Sequence, residues 1–273
     1  MPWLPTHGFT RRCSQRDAVY DSVVNSPILP GAEPFSAAGG PSGVLVVHGF
    51  TGNPQSMRPL AEAFADAGFT VELPLLPGHG TSVDDMLATT WADWSSAAEA
   101  AYGDLSARCD SVVVAGLSMG GTLATWLAAN HPEIRGLVAI NALAESDPAM
   151  RDGIAELAGQ GLDRIPGIGS DIAKPGVTEL AYPEVPLAAL LSLFDAVDQL
   201  SSRLADVTCP VLVMSSPADH VVPPASSDRL ATQVSGPVER VTLARSYHVA
   251  TLDHDAALIE SEAVAFAQKV TAG

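Results

Sequence analysis

The chain has 273 residues, 47% of them hydrophobic and only 16% charged, with 14 basic against 31 acidic side chains and a net charge of −17. That length accommodates one large domain or two small ones, with a core that needs no disulfide or metal staple. So acidic a chain is repelled by nucleic acid and by anionic lipid headgroups, which argues against DNA binding and polybasic membrane docking. Three cysteines, Cys13, Cys109 and Cys209, form no C-x-x-C pair. They suit a reducing cytoplasm, or are simply three small apolar residues.

Residues 1–27 read as a poorly structured extension without hydrophobic period. Arg11 and Arg12 invite a twin-arginine reading, but no apolar run follows them, so no signal peptide is expected. Val44-Leu45-Val46-Val47 is a continuous apolar strand of the kind buried on both faces of a parallel sheet. Pro54 and Ser56 open a helix carrying Met57, Leu60 and Phe64, which ends at Gly68. The next strand covers 69–73. Thr90-Trp91-Ala92-Asp93 has the form of a capping box for a helix reaching about Arg108. Further strands are expected at 112–114, 137–140, 211–214 and 238–243, with helices at 122–130 and at the C-terminus, where Ile259, Ala263, Phe266 and Val270 share one face. The uncharged stretch 111–130 has the length of a membrane span, but its glycines fit a buried strand, a turn and a buried helix better.

Strands alternating with helices predict a doubly wound, mostly parallel α/β sheet with its working residues at the carboxyl ends of the strands. One segment breaks the rhythm. Between Asn141 and Cys209 there is no β-rich run, but many Gly and Pro, then an apolar helical stretch with Leu187, Leu190, Leu191 and Phe194. Structureless loops of that length are rare, so 142–206 reads as an inserted cap, with an ordinary pair of connecting helices as the alternative. The core is then 28–141 with 207–273.

Gly116-Leu117-Ser118-Met119-Gly120 fits G-x-S-x-G between a strand and a helix. A serine on that sharp turn sits in strained backbone, so small residues two before and two after it avoid clashes. Its hydroxyl is a poor nucleophile and needs a base, which in turn needs an orienting carboxylate. The chain order for this turn is nucleophile, acid, histidine. Asp219 follows the strand 211–214 in Ser216-Pro217-Ala218-Asp219-His220, and His248 follows the last strand in Ser246-Tyr247-His248-Val249. Asp195, Asp198 and Asp206 precede the strand and are expected to face solvent. His254, His220 and His131 have loop or helix-start positions. The oxyanion donors would be the N–H of Met119, next to the nucleophile, and that of Phe50, in His48-Gly49-Phe50-Thr51-Gly52. His48 is expected to fix that loop by hydrogen bonds, and His79, in Pro77-Gly78-His79-Gly80, to be structural. No H-E-x-x-H and no G-x-G-x-x-G after a strand is present, and Asp253-His254-Asp255 is at best a weak metal candidate. No cofactor is expected.

Gly31-Ala32-Glu33-Pro34-Phe35, His48-Gly49-Phe50-Thr51-Gly52, Ser56-Met57-Arg58-Pro59-Leu60-Ala61, the Gly116–Thr122 turn and Ser246-Tyr247-His248-Val249-Ala250-Thr251-Leu252-Asp253 closely resemble the bacterial monoacylglycerol lipases. These are small α/β-hydrolases related to the thermostable carboxylesterases, and the likeness runs from about Ile28 to the C-terminus. The resemblance implies the triad Ser118, Asp219 and His248 with Phe50 and Met119 as oxyanion donors. It matches Glu179, in Thr178-Glu179-Leu180-Ala181-Tyr182, to a glutamate that helps recognise the glycerol head group, where the residue alone reads equally as a solvated carboxylate. It matches Ile168 to an isoleucine at the acyl pocket. The extension 1–27 has no obvious counterpart, and residues 144–163 depart from the family pattern. The expected activity is hydrolysis of monoacylglycerols, with a small-molecule ester as partner and transient lipid contact through the cap. A general carboxylesterase, another triad reaction such as peptide or thioester cleavage, and a non-catalytic binder on the same fold are the alternatives.

Overall fold

The computed structural model describes residues 26–272, so the expected extension, with Cys13 and Arg11-Arg12, lies outside the described residues except for Ser26 and Pro27. Strands β1 (Phe35–Ala37), β2 (Ser42–Val47), β3 (Thr70–Leu73), β4 (Ser111–Leu117), β5 (Gly136–Ile140), β8 (Val211–Ser215) and β9 (Val238–Thr242) form one sheet in the order β1-β3-β2-β4-β5-β8-β9. All neighbours pair in parallel except β1, which runs antiparallel to β3.

The two-residue period of the strands sorts their side chains onto two faces. Val113, Ala115, Val138, Ile140, Leu212 and Met214 point to one side, under α1 (Arg58–Asp66) and α8 (Ala256–Thr271), and meet Leu60, Phe64, Ile259 and Phe266. Val112, Val114, Leu137, Ala139, Val211 and Val213 point to the other. There they meet Trp94 and Leu105 of α3 (Trp91–Ser106), Leu123 and Leu127 of α4 (Met119–Asn130), and Leu230 of α7 (Pro224–Gln233). Strands buried on both faces explain the unbroken valine runs. Each large apolar side chain moved out of water contributes about 1.5–3 kcal/mol. Helix α3 starts as its sequence predicts, with the Thr90 N–H donating to Asp93 at 2.9 Å.

Strands β5 and β8 are hydrogen-bonded neighbours, with Leu137 opposite Val211, yet residues 141–210 separate them in sequence. That insertion carries α5 (Pro148–Gly159), α6 (Leu187–Ser201) and an antiparallel pair, β6 (Arg164–Pro166) with β7 (Glu184–Pro186). The two strands are three residues each, too short to show as a β-rich run in the sequence. Pairs this short carry no hydrophobic period to be read. Ile154, Leu187 and Phe194 pack α5 against α6, while Ala189, Leu193, Val197 and Leu200 join the main core. Asp195 and Asp198 bind Arg151, and Asp206 binds Arg203, all at the surface. Among the described residues no helix is long and apolar enough to cross a membrane.

Candidate active site

Every parallel strand delivers a loop to the same edge of the sheet. The loop after β2 begins with His48, the turn after β4 holds Ser118, Asn141 follows β5, Ser216–Asp219 follow β8 and His248 lies beyond β9. Ser118 has φ 56 and ψ −124, a strained conformation for a residue with a Cβ. A Cβ on Gly116 would lie 2.1 Å from the Gly120 carbonyl oxygen, and one on Gly120 would lie 2.1 Å from that of Val47. The two glycines therefore let β2, β4 and α4 close up until the serine projects above the sheet.

Asp219 and His248 come together although they stand 29 positions apart in the chain. His248 Nδ1 lies 2.8 Å from Asp219 Oδ2, with both side chains almost wholly out of water. Asp219 Oδ1 accepts the backbone N–H groups of Val221 and Val222, each at 2.8 Å. A carboxylate only accepts, so Nδ1 of His248 carries the hydrogen and Nε2 is left as a base. Phe50 is held by ring contacts to Trp94 (5.6 Å) and His79 (6.4 Å), and Met119 opens α4 directly after Ser118.

A cavity of about 580 Å³ opens from these residues. Leu143, Met150, Val185, Leu190, Leu193 and Phe194 form its apolar wall, while Ser118, Phe50, His248 and Glu179 lie at its polar end. The Glu179 carboxylate reaches to where a Cβ of Gly52 would sit, 2.7 Å away. Burial pushes its pKa up, opposed by His248 and by a hydrogen bond from Ser56. It is therefore no ordinary solvated carboxylate. Ile168 lines the same cavity but is 68% exposed, which puts it at the mouth.

The other histidines have different neighbours. His131 pairs with Glu99 and Glu133 near the start of β4, at the opposite edge of the sheet. His254 is exposed, and the carboxylates flanking it bind other groups: Asp253 takes the N–H of Tyr247, and Asp255 binds Arg245 and Ser246. Among the described residues no group of three or more His, Cys, Asp or Glu is placed to hold a metal.

His48 is fully buried, donating from Nδ1 to the Gly49 carbonyl at 3.0 Å and accepting the Leu76 N–H on Nε2 at 3.1 Å. It ties the Phe50 loop to the next loop, as its position suggested. Burial, with His79 nearby, pushes its pKa down to about 3, and burial pushes that of His79 down to about 4. Both are neutral in the folded chain, whereas the unfolded chain protonates them below pH 6.5. Their contribution to stability is therefore intact above that pH and lost as pH falls toward 4 and then 3. Each histidine should cost about 2 kcal/mol between pH 6.5 and 5, and His79→Gln should flatten the drop measured by urea unfolding. A variant with the wild-type drop would refute this.

Residues 44–261 match the model of the alpha/beta hydrolase family, and the chain belongs to that family. The thermostable monoacylglycerol lipase of Bacillus sp. (strain H-257) is 49% identical over 245 residues, covering 89% of this chain and 97% of that protein. The carboxylesterase of Bacillus subtilis (strain 168) is 26% identical over 242 residues, 87% of this chain and 97% of its own. Among solved structures, one from work on LipS and LipT, two metagenome-derived lipolytic enzymes, superposes with a TM-score of 0.86 at 44% identity. It covers 89% of this chain and 100% of its own.

The sequence pattern does not mark two residues that touch the loops of Asp219 and His248, namely Asn141 and Asp171. The one local signal for Asn141 was an asparagine directly after an apolar strand, a residue type that tolerates left-handed backbone.

Proposed function

We propose that the chain is a serine ester hydrolase that cleaves monoacylglycerols to glycerol and a fatty acid, with Ser118 as nucleophile, His248 as base and Asp219 as its orienting acid. The carrying observation is the strained Ser118 turn opening, beside the Asp219–His248 pair, onto an apolar cavity with a half-buried carboxylate at its polar end. The 49% identity to a monoacylglycerol lipase supports the same substrate.

In the reaction, His248 Nε2 takes the Ser118 proton as Oγ attacks the ester carbonyl. The N–H groups of Phe50 and Met119 hold the oxyanion, a contribution of about 3 kcal/mol per donor. The tetrahedral intermediate collapses, glycerol leaves with the proton from His248, and the acyl chain stays on Ser118. Water, deprotonated by His248, then releases the fatty acid and restores the serine. The 142–206 segment serves as a cap whose helices wall the acyl chain. Met150 and Ile168, 51% and 68% exposed at the cavity, give it an apolar rim for transient lipid contact. The free Cys109 and Cys209, the latter with its thiol pushed up to about 11 by burial, suit a cytoplasmic setting.

Glycerol release should be fast from 1-monolauroylglycerol and slow from dilaurin and trilaurin, with Ser118→Ala inactive on all. No hydrolysis of any ester would end this reading. Glu179→Ala should reduce the preference for 1-monolauroylglycerol over methyl laurate by about ten- to a hundredfold, the loss of a hydrogen bond to a charged group. An unchanged preference would make the enzyme a general carboxylesterase.

A further inference from the structure

We infer that Asn141 and Asp171 form a clamp on the main chain of His248 that sets the histidine in register with Asp219, an inference that rests on the catalytic reading above. The loop after β9 that carries His248 has no regular structure to fix it, and a base must be held within about half an ångström to work. Both main-chain polar groups of His248 are held by side chains from elsewhere in the fold. Its N–H donates to Asp171 Oδ2 at 3.0 Å, and its carbonyl accepts from Asn141 Nδ2 at 2.8 Å.

Each side chain also grips the loop of the acid. Asn141 Oδ1 accepts the Ser216 N–H at 2.8 Å, and its Nδ2 donates to Ser216 Oγ at 3.0 Å. Ser216 Oγ in turn donates to the Tyr247 carbonyl at 2.9 Å. Asp171 accepts the backbone N–H of His220, the residue after the acid, at 3.2 Å, and the ring Nδ1 of His220 lies 2.8 Å from its other oxygen. The acid loop and the base loop are thus cross-linked on two sides of the one bond that joins Asp219 to His248.

The local structure is committed to this arrangement. Asn141 is buried and has φ 43, held there by its own N–H to the Met214 carbonyl at 2.9 Å. Burial pushes the Asp171 carboxyl up, but the hydrogen bonds from His220 and from the His248 N–H bring it below its ordinary value. The chain around Asp171 is laced to the histidine loop a second time. The Val249 N–H donates to the Asp171 carbonyl at 3.1 Å, and Asp253 accepts the N–H groups of Ala173, Lys174 and Tyr247 at 2.7–2.9 Å. One jaw of the clamp therefore belongs to β5 and the other to the insertion.

The test compares Asn141→Gly, which keeps the left-handed backbone open and removes only the side chain, with Asp171→Ala. Each should lower kcat on 1-monolauroylglycerol about ten- to a hundredfold, as a displaced base does, with KM little changed. In each, the low-field proton resonance of the His248 Nδ1–H should broaden or vanish while circular dichroism stays native. The double variant should fall little further than the worse single one, because both act on the same histidine. A folded variant that retains wild-type kcat and the wild-type proton resonance overturns the clamp. So does a loss of activity carried by KM with the resonance intact. If Asp171→Ala does not fold, Asn141→Gly alone decides. If the wild-type protein hydrolyses no ester, the proposed function fails, and the resonance in the variants still tests the clamp.

Discussion

Ser118→Ala should reduce turnover of 1-monolauroylglycerol about a millionfold, the scale seen when a triad serine is removed, with the melting temperature unchanged. The two expectations have separate physical grounds. Alanine keeps the Cβ, so the strain at φ 56 is neither relieved nor increased. The hydrogen bonds that hold the turn use only the backbone of Ser118: its N–H donates to the Ile140 carbonyl at 3.0 Å, and its carbonyl accepts from the N–H of Thr122 at 3.0 Å and from the Thr122 hydroxyl at 3.3 Å. What disappears is the oxygen proposed to form the acyl-enzyme. A residual rate of about a thousandfold or more over water should survive from the oxyanion donors and substrate binding. Activity within a hundredfold of wild type would mean that the nucleophile lies elsewhere.

Asp219→Asn should cost about ten-thousandfold in kcat with KM nearly unchanged. The surroundings dictate how the amide must sit. Oδ1 faces two N–H donors, from Val221 and Val222, so the amide oxygen has to occupy that side. Its NH₂ is then turned toward His248 Nδ1, where the carboxylate had accepted at 2.8 Å. The imidazole can meet a donor there only by moving its own hydrogen to Nε2, which removes the lone pair that should take the serine proton. The defect is one of tautomer and leaves the shape of the site intact. Steady-state kinetics on 1-monolauroylglycerol measures it, and a variant keeping a tenth of the activity would show that another residue orients the histidine.

The parts of this molecule legible in its sequence are those with a local signature. Val112-Val113-Val114 before Gly116-x-Ser118-x-Gly120 marks a strand running into the elbow, Asp219 stands just past the apolar strand β8, and His248 stands in the loop after β9. What stayed illegible is short or non-local. Strand β1 spans three residues, too few for any period, and α2 (Val83–Leu87) is barely longer than a turn. Helix α7 escaped because it turns only Ser226, Ser227 and Leu230 inward and so shows no apolar stripe. The places of Asn141 and Asp171 depend on β5 lying beside β8 and on the insertion folding back over both loops. Neither relation has a trace in the spacing of residues along the chain.

The insertion leaves the sheet from β5 and returns to it at β8, and those two strands are hydrogen-bonded to each other. Its ends are thus fixed side by side by the sheet itself, whatever lies between them. Closing a longer excursion from such a doorway costs little, about 0.6 kcal/mol for each doubling of its length. Descendants of this chain can lengthen, trim or recompose the parts of this segment that lie outside the main core at little cost to the sheet. The residues they must keep are those through which the changing part holds on to the unchanging one, Leu193, Val197 and Leu200 in the core and Asp171 and Asp253 at the loops.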